Sequence, residues 1–281
     1  MGQSTMAELH CGSYRLSLER PLIMGVLNVT PDSFSDGGLF TDVDRAVARG
    51  FQMMEEGAAV LDIGGESTRP GASPVPLQEE LRRVIPVIEQ LAGGPVPLSI
   101  DTRHVEVMQA ALAAGATLVN DINALRAPGA LACCAATDAA VCLMHMQGTP
   151  ATMQDDPHYD DVLHEVGQFL KARAEAAEAA GIARNRIILD PGFGFGKSVA
   201  HNLALLRGLD TLAAGGYPLL AGLSRKSVLG AVTGRAVTDR VSGSVAAALL
   251  AVMRGAWMVR VHDVAATASA LAVWQAVEGG Q

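Results

Sequence analysis

Eight short apolar runs, each closed by a polar residue and followed by a helical stretch, constrain this chain more than any other feature. The runs are Ile23–Asn28, Val60–Asp62, Leu98–Asp101, Leu118–Asp121, Val141–His145, Ile187–Asp190, Leu219–Ser224 and Met258–His262. Continuous apolar strands of this length suit a parallel sheet buried on both faces. Helical patterns lie between them, at Asp42–Gly57, Leu77–Leu91, Arg103–Ala114, Gly129–Ala136, Asp161–Ala180, Asn202–Ala213, Asp239–Gly255 and Val264–Val277. Pro86 is an irregularity inside the second, and Gly181 closes the Ala-rich fifth as a C-cap.

Such an alternation builds either a closed barrel or an open doubly wound sheet. An open sheet concentrates its polar strand ends at one switch point. Here every strand has one: Asn28, Asp62, Asp101, Asn120 with Asp121, His145, Asp190, Ser224, and Arg260 with His262. That distribution predicts an α/β fold of the (β/α)8 TIM-barrel kind, with all strand ends facing one mouth. Residues Tyr14–Leu18 precede the first unit and are expected as a short strand or hairpin outside the ring. No Pro-, Gly- or Ser-rich linker divides the 281 residues, so residues 1–281 read as a single domain.

Composition narrows the function. Hydrophobic residues at 49% and charged residues at 18% provide for a large core. A net charge of −8 argues against nucleic acid or a membrane surface as partner. The cysteines, Cys11, Cys133, Cys134 and Cys142, have no C-x-x-C spacing and read as reduced thiols in a cytoplasmic protein. Residues Met1–His10 show no apolar signal region, and Met6 stands where a myristoylation motif needs Ser or Thr. The longest apolar run, Val245–Met253, is far short of the ~20 residues of a membrane span and reads as a buried helix.

Five segments carry candidate chemistry. MGVLNVTPDSFSDGG (24–38) reads either as a surface turn or as a mobile lid whose Asn28 and Asp32 offer oxygen ligands to Mg²⁺. DIGGESTRPG (62–71) pairs close-approach glycines with the donors Ser67, Thr68 and Arg69, a phosphate-binding set, or else forms a turn with Glu66 and Arg69 paired in solvent. DPGFGFGKS (190–198) fits neither standard nucleotide loop, and its Phe195 is either a stacking ring or a core residue. GLSRKS (222–227) precedes VRVHD (259–263), where Arg260 and His262 share a strand face and form a cationic pair apt for diphosphate. Asp101, Asn120 and Asp190 could bind the edge of a heterocycle, or cap helices; Asp121 and Asp263 suit the capping role best. His145 and His262 could ligate a metal, but no H-E-x-x-H or Cys/His cluster supports one. No G-x-S-x-G elbow supports acyl hydrolysis.

These strings, with NDI at 120–122 and LMHMQGTP at 143–150, closely resemble the dihydropteroate synthases from Ile23 to the C-terminal helix. The resemblance implies a cytoplasmic transferase of folate biosynthesis. It would join 7,8-dihydropterin-6-ylmethyl diphosphate to 4-aminobenzoate, giving 7,8-dihydropteroate and diphosphate. It assigns the pterin ring to Asp101, Asn120, Asp190 and Lys226. The diphosphate falls to Asn28, Thr68, Arg69, Arg260 and His262, with Mg²⁺ bound by Asn28 and assisted by Asp32. The aminobenzoate slot falls to Thr68, Pro70, Phe195, Lys226 and Ser227, beneath Pro31 and Phe34. The catalytic set it implies is Asn28, Asp32, Asp101, Lys226, Arg260 and His262, in a homodimer. Two other classes stand beside it: a pterin-binding barrel of a methyl-transferring corrinoid system, and a silent paralogue kept as a scaffold. The 28–38 string and the Arg260/His262 pair argue against the first, and the intact site strings argue against the second.

Overall fold

The computed structural model describes residues 8–29, 39–66, 75–150 and 152–278. Eight parallel strands close into a barrel: β3 (Leu22–Asn28), β4 (Val60–Gly64), β5 (Leu98–Asp101), β6 (Leu118–Asp121), β7 (Ala140–Met144), β8 (Ile187–Asp190), β9 (Leu219–Ala221) and β10 (Ala256–Val261). They neighbour one another in chain order, and β10 pairs with β3 to complete the ring. The TIM-barrel expectation therefore holds. The antiparallel hairpin β1 (Glu8–Cys11) and β2 (Tyr14–Ser17) lies outside the ring, as expected.

Strand pleat explains both the core and the site. Side chains alternate between the barrel interior and the helix layer. One phase, including Leu61, Ile63, Ile100, Val119, Val141, Leu143, Ile187, Leu189, Val259 and Val261, packs among the surrounding helices in the main core. The other phase begins with Met24, Val60, Leu118, Ala140, Cys142, Ile188, Leu220 and Met258, which form a second apolar cluster with Leu9 and Cys11 of the hairpin. The hairpin thus stoppers the N-terminal end, and the Trp257 indole donates to the Ser17 carbonyl at 3.1 Å. Two residues further along the same phase stand Asp62, Asn120, Asp190 and Arg260. An apolar floor therefore lies beneath a polar layer, and that layer opens toward the strand C-termini.

The helices follow the expected order with differences in detail. Helix α2 (Leu77–Leu91) runs through Pro86, and α5 (Val162–Ala179) starts at the Asp161 cap, whose carboxylate accepts from the Leu163 and His164 amides. The stretch expected as one helix over Asn202–Ala213 is two, α6 (Val199–Arg207) and α7 (Leu209–Ala213). They meet at Gly208, where a β-carbon would sit 2.6 Å from the Leu163 side chain. Helix α8 (Ser227–Thr233) was not expected; its seven residues are too few to display an apolar period. The last two helices are α9 (Val241–Val252) and α10 (Val264–Glu278).

Candidate active site

The polar layer is built around one guanidinium. Arg260 donates from Nε to Asp62 Oδ2 and from Nη2 to Asp101 Oδ2, both at 2.6 Å. Asp62 also accepts from Ser99 Oγ at 2.6 Å and from Asn120 Nδ2 at 3.0 Å. Three strands therefore meet on one cation through charge-assisted bonds, which are short and strong in a low-dielectric interior, and Asn120 ties in a fourth through Asp62. Burial pushes the Asp101 carboxyl up to about 7, although Arg260 pulls the other way. Burial also opposes the charge of Arg260, but Asp62 and Asp101 outweigh it and hold the guanidinium above its ordinary value.

Asp190 and Lys226 are near enough in the same polar layer for each to shift the other's titration. Burial raises the Asp190 pKa while the Lys226 charge opposes the rise, and the carboxylate accepts the Gly192 amide at 2.7 Å. Burial pushes Lys226 down to about 8 against the pull of Asp190. Its ammonium donates to the Phe193 carbonyl and lies 4.6 Å from the centre of the Phe195 ring, a cation–π contact. Phe195 is half-buried at the pocket edge, whereas Phe193 is the ring consumed by the core. At the mouth, His262 Nδ1 is 3.0 Å from Ser224 Oγ. Asn28 ends β3, and Ser227 is the first, exposed residue of α8 beside Lys226.

The Lys226 value makes a stability prediction. Between about 8 and 10.5, an unfolded lysine keeps a proton that the folded one has lost. The unfolded chain binds more protons there, so Lys226's contribution to stability rises with pH across that window. Raising the pH from about 7.5 to about 9.5 will improve wild type relative to Lys226→Met by about 2 kcal/mol. Urea midpoints of both proteins at the two pH values provide the check; a constant difference would show that Lys226 titrates normally.

Of the residues singled out by sequence, Asp101, Asn120, Asp190, Lys226, Phe195 and Arg260 belong to this connected pocket, with Asn28, His262 and Ser227 at strand and helix ends facing the same mouth. Asp32, Thr68, Arg69, Pro70, Pro31 and Phe34 lie outside the described residues. Asp121 and Asp263 were expected to cap helices; their carboxylates instead hold a turn and a guanidinium. Asp121 belongs to the opposite pleat phase from Asn120, and accepts the Asn123 and Leu125 amides at 2.7 and 2.8 Å. Asp263 grips Arg225 through two bonds of 3.0 and 2.6 Å. Glu66 pairs with Arg103. Asp62 was seen as a strand end but not assigned to the site. Its signal was parity: it stands in register with Ser99, one strand before the Asp101–Asn120 pair.

The chain matches the model of the pterin binding enzyme family over residues 24–262. The dihydropteroate synthase of Neisseria meningitidis serogroup B is 54% identical over 273 residues, covering 95% of this chain and 96% of that protein. The Escherichia coli K12 enzyme of the same name is 48% identical over 262 residues, 93% of each chain. Xanthomonas albilineans dihydropteroate synthase, solved with 4-aminobenzoic acid, superposes with a TM-score of 0.93 at 58% identity, covering 99% of this chain and all of that one. The same enzyme with 7,8-dihydropteroate gives 0.89 at 55% identity, over 98% of this chain and 100% of that one.

The chain belongs to the dihydropteroate synthases.

A dihydropteroate synthase thus keeps three carboxylates, Asp62, Asp101 and Asp190, and two cations, Lys226 and Arg260, in one polar layer. Among the described residues, no three His, Cys, Asp or Glu side chains group to hold a metal, and no helix is long and apolar enough to cross a membrane.

Proposed function

We infer that the chain transfers the 7,8-dihydropterin-6-ylmethyl group from its diphosphate to 4-aminobenzoate, releasing diphosphate and 7,8-dihydropteroate, a step of folate synthesis. The observation that carries this reading is the Asp62–Arg260–Asp101 network with Asn120, Asp190 and Lys226 in one pocket. A pterin edge is a row of N–H donors and carbonyl or ring-nitrogen acceptors. Asp101, Asn120 and Asp190 suit its donors, and Lys226 suits an acceptor.

The chemistry demands little covalent help. The methylene C–O bond breaks with its electron pair leaving on diphosphate. The resulting cation is delocalised into the reduced ring and stabilised by the three carboxylates of the pocket. The neutral arylamine nitrogen then bonds to the methylene carbon and sheds a proton, so no strong base is required. Positioning and water exclusion supply the rest of the acceleration. The arylamine binds against Phe195, Lys226 and Ser227, with Thr68 and Pro70 completing the slot. Asn28, Arg69 and His262 hold the diphosphate, joined by Arg260 through the part of its guanidinium not committed to Asp62 and Asp101.

A single described oxygen donor, Asn28, fits a cation that keeps most of its water and is carried by phosphate oxygens, as Mg²⁺ is. Mg²⁺ bound there, with Asp32 assisting, would neutralise charge on the leaving diphosphate. The free thiols of all four cysteines favour a cytoplasmic setting.

The test is direct: incubate the protein with the pterin diphosphate, 4-aminobenzoate and Mg²⁺, and measure diphosphate and dihydropteroate together. Pterin binding without diphosphate release would instead support a binding module or a silent paralogue. A homodimer through α9 and α10 completes the reading. Met253, Val273 and Val277 are 60%, 66% and 74% exposed there, a cost in water that a partner copy would remove. Sedimentation at micromolar concentration should give about twice the 29.1 kDa chain mass; a species at the chain mass would overturn the dimer.

A further inference from the structure

We infer that Lys197 is a positioning residue for the amine slot: its buried ammonium grips the 192–196 turn and thereby sets the Phe195 ring against Lys226. The inference rests on the reading that Phe195 and Lys226 line that slot. Lys197 is 3% exposed, and its Nζ has three bonds of 2.9 Å, to the Gly192 carbonyl, the Phe195 carbonyl and His145 Nδ1. All three acceptors are uncharged: burial, and then the Lys197 charge, hold His145 down to about 3, so its ring is neutral. Burial pushes Lys197 down to about 7 against the pull of Asp190, so its ammonium depends on bonds that compensate for lost water. Here two of those bonds go to the backbone of one turn and the third to a neutral ring, rather than to a carboxylate.

The turn needs such support. Gly192, Gly194 and Gly196 have φ of +69°, +81° and +60°, and a β-carbon on Gly192 would lie 1.9 Å from the His145 carbonyl oxygen. This backbone runs in neither a helix nor a sheet ladder, so side chains take its carbonyls. Lys226 binds that of Phe193, Gln154 Nε2 that of Gly194 at 2.6 Å, and the Tyr159 hydroxyl that of Gly196 at 2.7 Å. Lys197 alone takes two, on either side of the Phe193 carbonyl that Lys226 binds. The Phe195–Lys226 geometry is therefore set from beneath by a residue that touches neither substrate.

The test compares Lys197→Met, Gln154→Ala, Phe195→Ala and the Lys197→Met/Phe195→Ala double variant. Steady-state constants for both substrates and hydrogen exchange of the 192–196 amides are read for each. Lys197→Met should raise the KM for 4-aminobenzoate about tenfold, leave that for the pterin diphosphate within about twofold, and speed exchange in the turn. The exposed Gln154→Ala, which carries little folding risk, should shift the same KM about two- to threefold and decides the matter if Lys197→Met does not fold. In the double variant, Lys197→Met should add nothing to Phe195→Ala. Unchanged amine KM in the folded variants, equal rises in both KM values, or multiplying effects would overturn the positioning role. An unchanged amine KM in Phe195→Ala alone would overturn the slot reading instead. Exchange in the turn then decides whether Lys197 grips it.

Discussion

Arg260→Met will destabilise the protein by about 3–5 kcal/mol and cut turnover by about 100-fold or more. The guanidinium joins Asp62 and Asp101, both through bonds of 2.6 Å, and Asp62 is fully buried. Removing it leaves two carboxylates in a low-dielectric pocket without the cation that bonds them both. Asp101, already up at about 7 through burial, will rise further without Arg260 to pull it down. A carboxyl with a raised folded-state pKa is most stable when protonated, and that stability is lost as pH rises. The penalty in Arg260→Met will therefore be largest near pH 8 and shrink toward pH 5. Adding Asp101→Asn should restore much of the stability by removing one of the unpaired charges, yet leave turnover low, since the pterin carboxylate and the cation are then both gone. Urea unfolding at the two pH values, alongside initial rates, checks both parts. A single variant within about 1 kcal/mol of wild type near pH 8 would show that the network does not hold the barrel mouth together.

Asp190→Asn will weaken pterin binding by about 1–3 kcal/mol, or roughly 5- to 150-fold, with little change in fold. The amide is close to isosteric, and its oxygen can still accept the Gly192 amide now held at 2.7 Å. What it loses is the charge and the second acceptor facing the pocket, so a ligand N–H is left unpaired or meets another donor. Lys226 also loses the neighbour that holds its proton, since Asp190 opposes the downward push of burial. Asp190→Ala should cost at least as much, with the added release of the 192–196 turn. Calorimetry with a pterin ligand is the measurement; unchanged affinity in the folded Asn variant would remove Asp190 from the pterin floor.

Much of the barrel was legible because a parallel strand buried on both faces must be a continuous apolar run. Leu98–Asp101, Leu118–Asp121 and Ile187–Asp190 have the same bounds in sequence and structure, as does the helix Leu77–Leu91. Short or interrupted elements were less visible. Helix α8 is too brief to show a period, and at the break the room for a side chain on Gly208 is taken by Leu163, 45 positions away in the chain.

The amino-acid order by itself marked eight apolar runs closed by polar residues, with Asp101, Asn120 and Asp190 among those closures and Arg260 beside another. It also separated Asn120 from Asp121, because pleat sends adjacent residues to opposite faces. Only the tertiary structure decided the pairings. Asp62 and Arg260 are 198 positions apart, and ring closure between β10 and β3 brings them to 2.6 Å. The same closure makes Arg260 the hub of a carboxylate network as well as a member of a cationic pair. Lys197 looked like the tail of a glycine-rich string until folding buried it against three uncharged acceptors. Local patterning dictates which residues line a barrel, since strand periodicity is a property of neighbours. Charge partners depend on shear and closure, which no stretch of sequence contains.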